Sequence, residues 1–290
     1  MHYENIVRAI LTTPWAIRKQ KLDEIAAFIH AKARGVDLPP CEAQAKTRID
    51  YFATVNGIVA AAAPETRVGK GVAVLPIFGT ITPRANIVTK MSGGTSAEQF
   101  TKEFRAAMAD PEIGALALDV DSPGGNVFGV PEVGQEIFAA RGVKKVTAIA
   151  NAEAASAAYW WASQAEELVV TPSGEVGSIG VIAMHEDWSK FLDNEGIKVS
   201  LISAGKFKGE GWPEFPLGED AKVYMQERVD DYYDQFVKAV ARGRGVAQKE
   251  VRDGFGEGRM VGAEQAVKMG MADAVGTLGQ TINRLLAGKG

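Results

Sequence analysis

Three short stretches carry side chains able to do chemistry where a packed core would not need them. In "EAASAAYWWAS", residues 153–163, Ser156 stands among alanines at the point where a buried apolar run begins. A serine in the first turn of a helix holds its hydroxyl near the positive end of the peptide dipoles, which favours the alkoxide of an activated nucleophile. The same position also suits a plain helix cap. In "DSPGG", residues 121–125, Gly124 and Gly125 follow Pro123. They let the backbone turn with positive φ and present N–H groups unobstructed by a Cβ, as an oxyanion hole requires; an ordinary strand-to-helix turn uses glycine too. In "SAGKFKGEG", Lys206 and Lys208 follow the apolar run "KVSLI". A lysine acts as general base only when neutral, so it must sit desolvated in an apolar setting; the alternative is two solvated surface lysines.

Other chemistries find little support. The three histidines, His2, His30 and His185, include no pair at ligand spacing, so no metal is expected, and no Walker-type phosphate loop occurs. No cofactor is implied. His185 in "AMHEDW" is the competing base for Ser156, but Asp187 follows too closely for a relay within that segment. The single cysteine, Cys41, reads as an incidental thiol in a reducing compartment. A formal net charge of -4 gives no basic field for nucleic acid or anionic lipid. The apolar stretch "VNGIVAAAAP" is too short to span a bilayer, and the opening residues are interrupted by Arg8 and Arg18. The expectation is therefore a chain without signal peptide, membrane anchor or nucleic-acid partner.

These loops need elements to position them, and the apolar spacing supplies a pattern. Helical periodicity from Trp15 to about Gly35, followed by proline-rich breaks in "GVDLPPCEAQAKTR" and "AAAPETRVGKG", predicts an N-terminal helical extension over residues 1–70, outside the main core. From residue 71 to 285 short β-branched runs alternate with helical patterns, which predicts an α/β domain. "VAVLPIFGTI", "GALALDVDS" and "KKVTAIANA" read as strands, as do two short runs around "PSGEVGS" and the run "KVSLI". "TSAEQFTKEFRAAMADPE" reads as a helix with a Thr95–Glu98 capping box and Phe100, Phe104, Ala107 and Met108 on one face. "PEVGQEIFAARG" and "GAEQAVKMGMAD" read as further helices. A long amphipathic helix runs from Glu219 to Arg242 between Gly218 and Gly243, with Tyr224, Tyr232, Tyr233 and Phe236 as an interface element or as core.

The order of the blocks is more distinctive than any one of them. "DSPGG", "AASAAYW", "GSIGV" and "GKFKG", with the tail "GRMVGAEQAVKMGMADAVGTL", together resemble the serine–lysine peptidases of the signal peptide peptidase A family, S49, over about residues 72–280. That resemblance implies a crotonase-like, ClpP-like spiral of ββα units. It implies Ser156 as nucleophile and Lys208 as general base, because the family's lysine takes the second place of an aromatic-or-histidine–lysine pair, here Phe207 and Lys208. It further implies an oxyanion hole from Gly124 or Gly125 with the N–H of Ala157, Ser178 as the residue orienting the lysine, and Asp121 as a turn residue. His185 receives no role.

Bacterial members carry a membrane anchor before the catalytic domain; the start "NIVRAILTTPWAIRKQKLDEI" looks instead like S49 peptidases of tailed-phage head modules. The resemblance then implies processing of scaffold, capsid or portal protein in the host cytoplasm or procapsid interior, by a homo-oligomeric ring in which serine and lysine meet across a subunit boundary. A soluble signal-peptide-peptidase-like protease, a crotonase-type acyl-CoA enzyme and a non-catalytic scaffold or shell component are the competing expectations.

Overall fold

The computed structural model describes residues 13–33, 71–85 and 94–288. His2, Arg8, Cys41, the stretch "VNGIVAAAAP" and the proline-rich breaks before residue 71 lie outside the described residues. The chain divides into two compact units. Among the described residues, the smaller takes 13–15, 19–33 and 181–234, and the larger takes 16–18, 71–85, 94–180 and 235–288.

The first described elements are β1 (Trp15–Ile17) and α1 (Lys19–Ala33). The sequence places Trp15–Ile17 inside the helix, outside the core; the structure makes them a strand, and Trp15, Ala16 and Ile17 are all buried. Backbone pairing overrides helical periodicity here: the Trp15 carbonyl, which a helix would use, accepts from Ile182 N at 2.8 Å, and the Arg18 N–H donates to Pro123 O at 2.9 Å.

In the larger unit, β2 (Gly71–Phe78), β3 (Ile81–Thr82), β4 (Thr95–Ser96) and α2 (Ala97–Ala109) come first. The N-cap falls one residue after the predicted Thr95, as a single cap bond in place of a capping box. Ser96 is the N-cap, accepting from Gln99 N at 3.3 Å, while Thr95 Oγ1 bonds both the N–H and the carbonyl of Phe78. Phe100, Phe104 and Ala107 face inward as their spacing predicts. Next come β5 (Ile113–Ser122), β6 (Gly124–Asn126), α3 (Val130–Ala139), β7 (Lys145–Ala155), α4 (Ala157–Ala162), β8 (Glu167–Val170) and β9 (Glu175–Gly177).

β2, β5 and β7 form a parallel core, with β7 continuing parallel to β8 along its first half and to β9 along its second. Their runs are apolar on both faces, as strands covered from both sides must be. Leu116, Leu118 and Val120 alternate with Ala115 and Ala117, and all are buried.

The smaller unit holds α5 (Ser189–Asn194) and the first part of α6 (Glu219–Arg244). The run "KVSLI", expected as a strand, has no strand hydrogen bonds, and residues 197–203 are exposed. Its alternation of apolar residues is genuine, but a strand also needs a neighbour to pair with. Gly243, expected to end the long helix, lies within it; a Cβ there would collide with Ser163 O, so the glycine serves close packing. Phe236 is core, stacked on Trp160 at 4.7 Å, whereas Tyr224 is exposed.

The larger unit closes with α7 (Gln248–Gly254), β10 (Met260–Gly262), α8 (Ala263–Lys268), β11 (Ala274–Val275) and α9 (Leu278–Leu286). β10 runs antiparallel to β9, and β11 parallel to β8. α9 begins at a full capping box, Thr277 with Gln280, and packs Leu278, Ile282 and Leu285 onto Val72, Val74, Ala115, Ala117, Ile149 and Val169. The whole is a mixed α/β fold with a mostly parallel sheet.

Candidate active site

The strand β7 is built to deliver one residue. Between Val120 and Ser122 its neighbour β5 advances two residues, while β7 advances four, from Ala150 to Ala154. This bulge includes Ala152 at φ 118°, and the two strands pair again beyond it at Ser122 and Ala154. Beyond it, Ala154 and Ala155 pair with Val176 and Gly177, and the Ser156 N–H donates to Gly177 O at 2.8 Å.

Ser156 then sits at φ 52°, ψ -116°, between β7 and α4. That backbone conformation is one glycine adopts readily and a side-chain-bearing residue does not, so it stores strain of about 1–3 kcal/mol. The serine is the N-cap residue of α4 by position, yet its side chain makes no cap hydrogen bond. Its hydroxyl donates instead to Gly180 O, a long bond at 3.4 Å.

Three aromatic residues hold α4, and with it Ser156. Tyr159 is fully buried and donates its hydroxyl to Met271 O at 2.9 Å; burial pushes its pKa well above the ordinary phenol value. Trp161 donates Nε1–H to Val130 O at 3.0 Å and stacks on Phe100, while Trp160 stacks on Phe236. Each anchor reaches a different element, so the helix start is fixed from several sides.

The glycines of "DSPGG" lie against this serine. They are not a simple turn into a helix: Gly124–Asn126 form β6, in a small sheet of order β1-β6-β3-β4. Gly124 has φ 96°, and a Cβ on it would overlap Ala16 O and lie 2.9 Å from Ser156 Cβ and 3.0 Å from Ala155 O. A Cβ on Gly125 would collide with the backbone of Ile81, its partner in β3. The Gly124 N–H donates to Ser122 Oγ at 3.2 Å, and Ser122 Oγ–H donates to Gly79 O at 2.6 Å. Ala157 is the first residue of α4, where a backbone N–H has no acceptor within the helix.

Acidic groups gather on the β5–β7 ends beside the bulge. Asp119 is buried and accepts from Asn151 Nδ2 at 3.0 Å, and Glu153 pairs with the Arg18 guanidinium. Asp121 reaches solvent, but the protein atoms crowding its carboxyl hold it above its ordinary value, and Glu153 and Asp119 add to the shift with like charge. Its carbonyl accepts from Gly79 N at 2.9 Å, so it shapes the strand end.

The remaining residues singled out in the sequence fall elsewhere. Ser178 follows β9 at φ 54°, half-buried, with its N–H on Arg259 O. Lys206 and Lys208 lie in the smaller unit and are exposed; Lys206 Nζ stands 4.5 Å from the Phe207 ring centre. That unit also encloses an apolar cavity of about 780 Å³, lined by Phe207, Met184, Tyr224 and Met225 among others. His185 contacts Trp212 O at 3.4 Å, and Asp187 is bonded to Ser189 rather than to the imidazole. Among the described residues, no group of three or more His, Cys, Asp or Glu is placed to hold a metal ion, and no helix is long and apolar enough to cross a membrane.

Sequence reasoning missed the bulge at Ala152 and the strand β1 beside β6. The first leaves no signal in a run of alanines; the second had one, since Trp15, Ala16 and Ile17 are consecutive apolar residues that a one-sided helix does not need.

Comparison with known proteins bears on the same elements. The model of peptidase family S49 matches residues 139–290, which include α4, β9 and the closing elements β10 to α9. The chain belongs to peptidase family S49. Capsid assembly protease C of Escherichia phage lambda is 32% identical over 207 residues, covering 71% of this chain and 47% of that protein. The putative signal peptide peptidase SppA of Enterococcus faecium is 29% identical over 184 residues, covering 62% of this chain and 52% of that one. The chain thus spans about half the length of the curated relatives it matches. Among solved structures, the 1510-N membrane-bound stomatin-specific protease, in a mutant form, is similar at a TM-score of 0.47 and 17% identity, over 75% of this chain and 85% of that one.

Proposed function

We propose that this S49 chain is a serine peptidase of the serine–lysine type, with Ser156 as nucleophile and Lys208 as general base. Its substrates are scaffold, capsid or portal proteins of a phage head, a reading supported by the likeness to capsid assembly protease C. The observation that carries the reading is the conformation of Ser156. A serine held at φ 52° on a strand-to-helix corner, without the cap bond that would explain it, is strain kept for chemistry. A crotonase-type acyl-CoA enzyme has no use for a serine there.

In this mechanism the neutral amine of Lys208 takes the proton of Ser156 Oγ as the oxygen attacks a peptide carbonyl. The tetrahedral oxyanion is met by the N–H groups of Gly125 and Ala157, the Gly124 N–H being engaged by Ser122 Oγ. Collapse expels the amine, which takes a proton from the lysine, and water activated by the same amine hydrolyses the acyl-enzyme. Ser178 orients the lysine. Lys208 is exposed in the single chain, and a lysine serves as a base only in a desolvated setting, so the base works only where its loop becomes covered. A second copy of the chain is the proposed cover, consistent with a homo-oligomeric enzyme.

Co-expression with neighbouring head proteins and mapping of new N-termini tests the assignment. Ser156→Ala and Lys208→Ala are each expected to lower cleavage by about 10³-fold or more. Cleavage by both variants at the wild-type rate would remove the mechanism.

A further inference from the structure

Ser156 has no solvent exposure in this chain, so a substrate carbonyl reaches it only after something moves. Residues 16–18 of the same chain lie against it. β6 is paired with β3 on one edge and with β1 on the other. The Ala16 carbonyl oxygen and Ser156 Cβ flank the same point, the place a Cβ of Gly124 would occupy. Ala16 and Ile17 are buried, and the Arg18 N–H donates to Pro123 O. The Arg18 guanidinium pairs with Glu153, three residues before the serine.

This arrangement has the form of a bound peptide. Without β1, β6 would be an edge strand with unpaired N–H and C=O groups, the surface to which extended peptides add as a further strand. A three-residue strand contributes few hydrogen bonds, so burial of Trp15, Ala16 and Ile17 supplies much of its hold. The residue nearest the serine is small, as a carbonyl approaching a nucleophile requires. The residue two positions on is basic and faces a carboxylate.

We propose that Ala16–Arg18 is a built-in occupant of the peptide-binding edge of β6, and that Glu153 selects a basic side chain two positions after the small residue lying against Ser156. This rests on the reading of Ser156 as a peptidase nucleophile. Substrates therefore compete with the chain's own segment, and those carrying a small residue, any residue and then Arg or Lys compete best.

The test uses the full chain and a fluorophosphonate, with labelling of Ser156 followed by intact mass. Arg18→Ala removes the ion pair, and Arg18→Pro also removes the N–H that donates to Pro123. Labelling is expected to speed up roughly threefold in the first and roughly tenfold in the second. If wild type and both variants label at one rate, the occupant is ruled out while the nucleophile stands. If none labels, wild type included, at a concentration where the chain self-associates, both readings fall. In the Arg18→Ala chain, the peptide TTPWAIRKQ should slow labelling at a concentration roughly fivefold lower than the same peptide with glutamine in place of its arginine. Adding Glu153→Gln should erase that difference; equal competition by the two peptides before that change would remove the selective role of Glu153.

Discussion

At the scale of the residue, Ser156 sets strain against use. Its φ of 52° and ψ of -116° belong to a region where a Cβ is crowded, and a 3.4 Å hydrogen bond to Gly180 O returns little. Removing the hydroxyl alone leaves that strain in place, whereas removing the Cβ relieves it. Ser156→Gly is therefore expected to be more stable than Ser156→Ala by about 1 kcal/mol, although both lack the proposed nucleophile. Urea unfolding of the two variants at one pH measures the difference. An alanine variant as stable as the glycine one would mean that the backbone relaxes and stores nothing. The reverse ranking is the usual one in a folded core, where glycine loses to alanine, so the sign of the difference is diagnostic.

At the scale of the element, the closing segments are held by a clamp that only the fold creates. Arg244, at the end of α6, makes two hydrogen bonds to Asp273 at 2.7 and 2.8 Å and a third to Gly270 O. Asp273 also accepts from Leu168 N on β8 at 2.7 Å. Burial alone would raise the Asp273 carboxyl; the Arg244 hydrogen bonds and the Leu168 N–H outweigh it and hold the group below its ordinary value. A carboxyl lowered in the folded state gives stability that is complete above the unfolded value near ~3.9 and is lost as pH falls through the lower folded value. Asp273→Asn is expected to cost about 2 kcal/mol at pH 7, after allowance for the partial exposure of the carboxylate, and the gap to wild type should close as pH drops well below 4. Urea midpoints at pH 7 and at acid pH check it, and a gap independent of pH would mean that the charge contributes nothing. Neither Arg244 nor Asp273 stands out in the sequence, because 29 positions separate them. By contrast, the corner at Ser156 is legible, since a serine between an apolar run and a helical pattern marks it by local chemistry, whereas Gly124 and Gly125, read as a turn, lie in β6. The strand expected over "KVSLI" was legible as a pattern and wrong as an element, since residues 197–203 find no strand partner among the described residues.

At the scale of the whole molecule, exposure is unevenly shared. Phe191, Ile197, Ile202, Phe207, Val223 and Tyr224 all belong to the smaller unit and are between 51 and 96% exposed. Large exposed apolar groups concentrated in one stretch mark a surface that another body covers. The stretch also holds the exposed run 197–203 and Lys208, so a second copy covering it would bury apolar side chains and desolvate the proposed base in one step. Self-association and activity are therefore expected to rise together with protein concentration, and sedimentation equilibrium alongside a concentration series of Ser156 labelling follows both. Ile202 is 96% exposed, so Ile202→Asp leaves the fold of the single chain intact. If Ile202 is buried between copies, the variant should weaken association by about tenfold or more, the equivalent of about 1.4 kcal/mol of lost apolar burial. Labelling at fixed concentration should fall with it and recover when the variant is concentrated. A wild-type chain that stays monomeric at high concentration and still labels at its full rate would place the cover of Lys208 elsewhere and leave this apolar surface for a different partner.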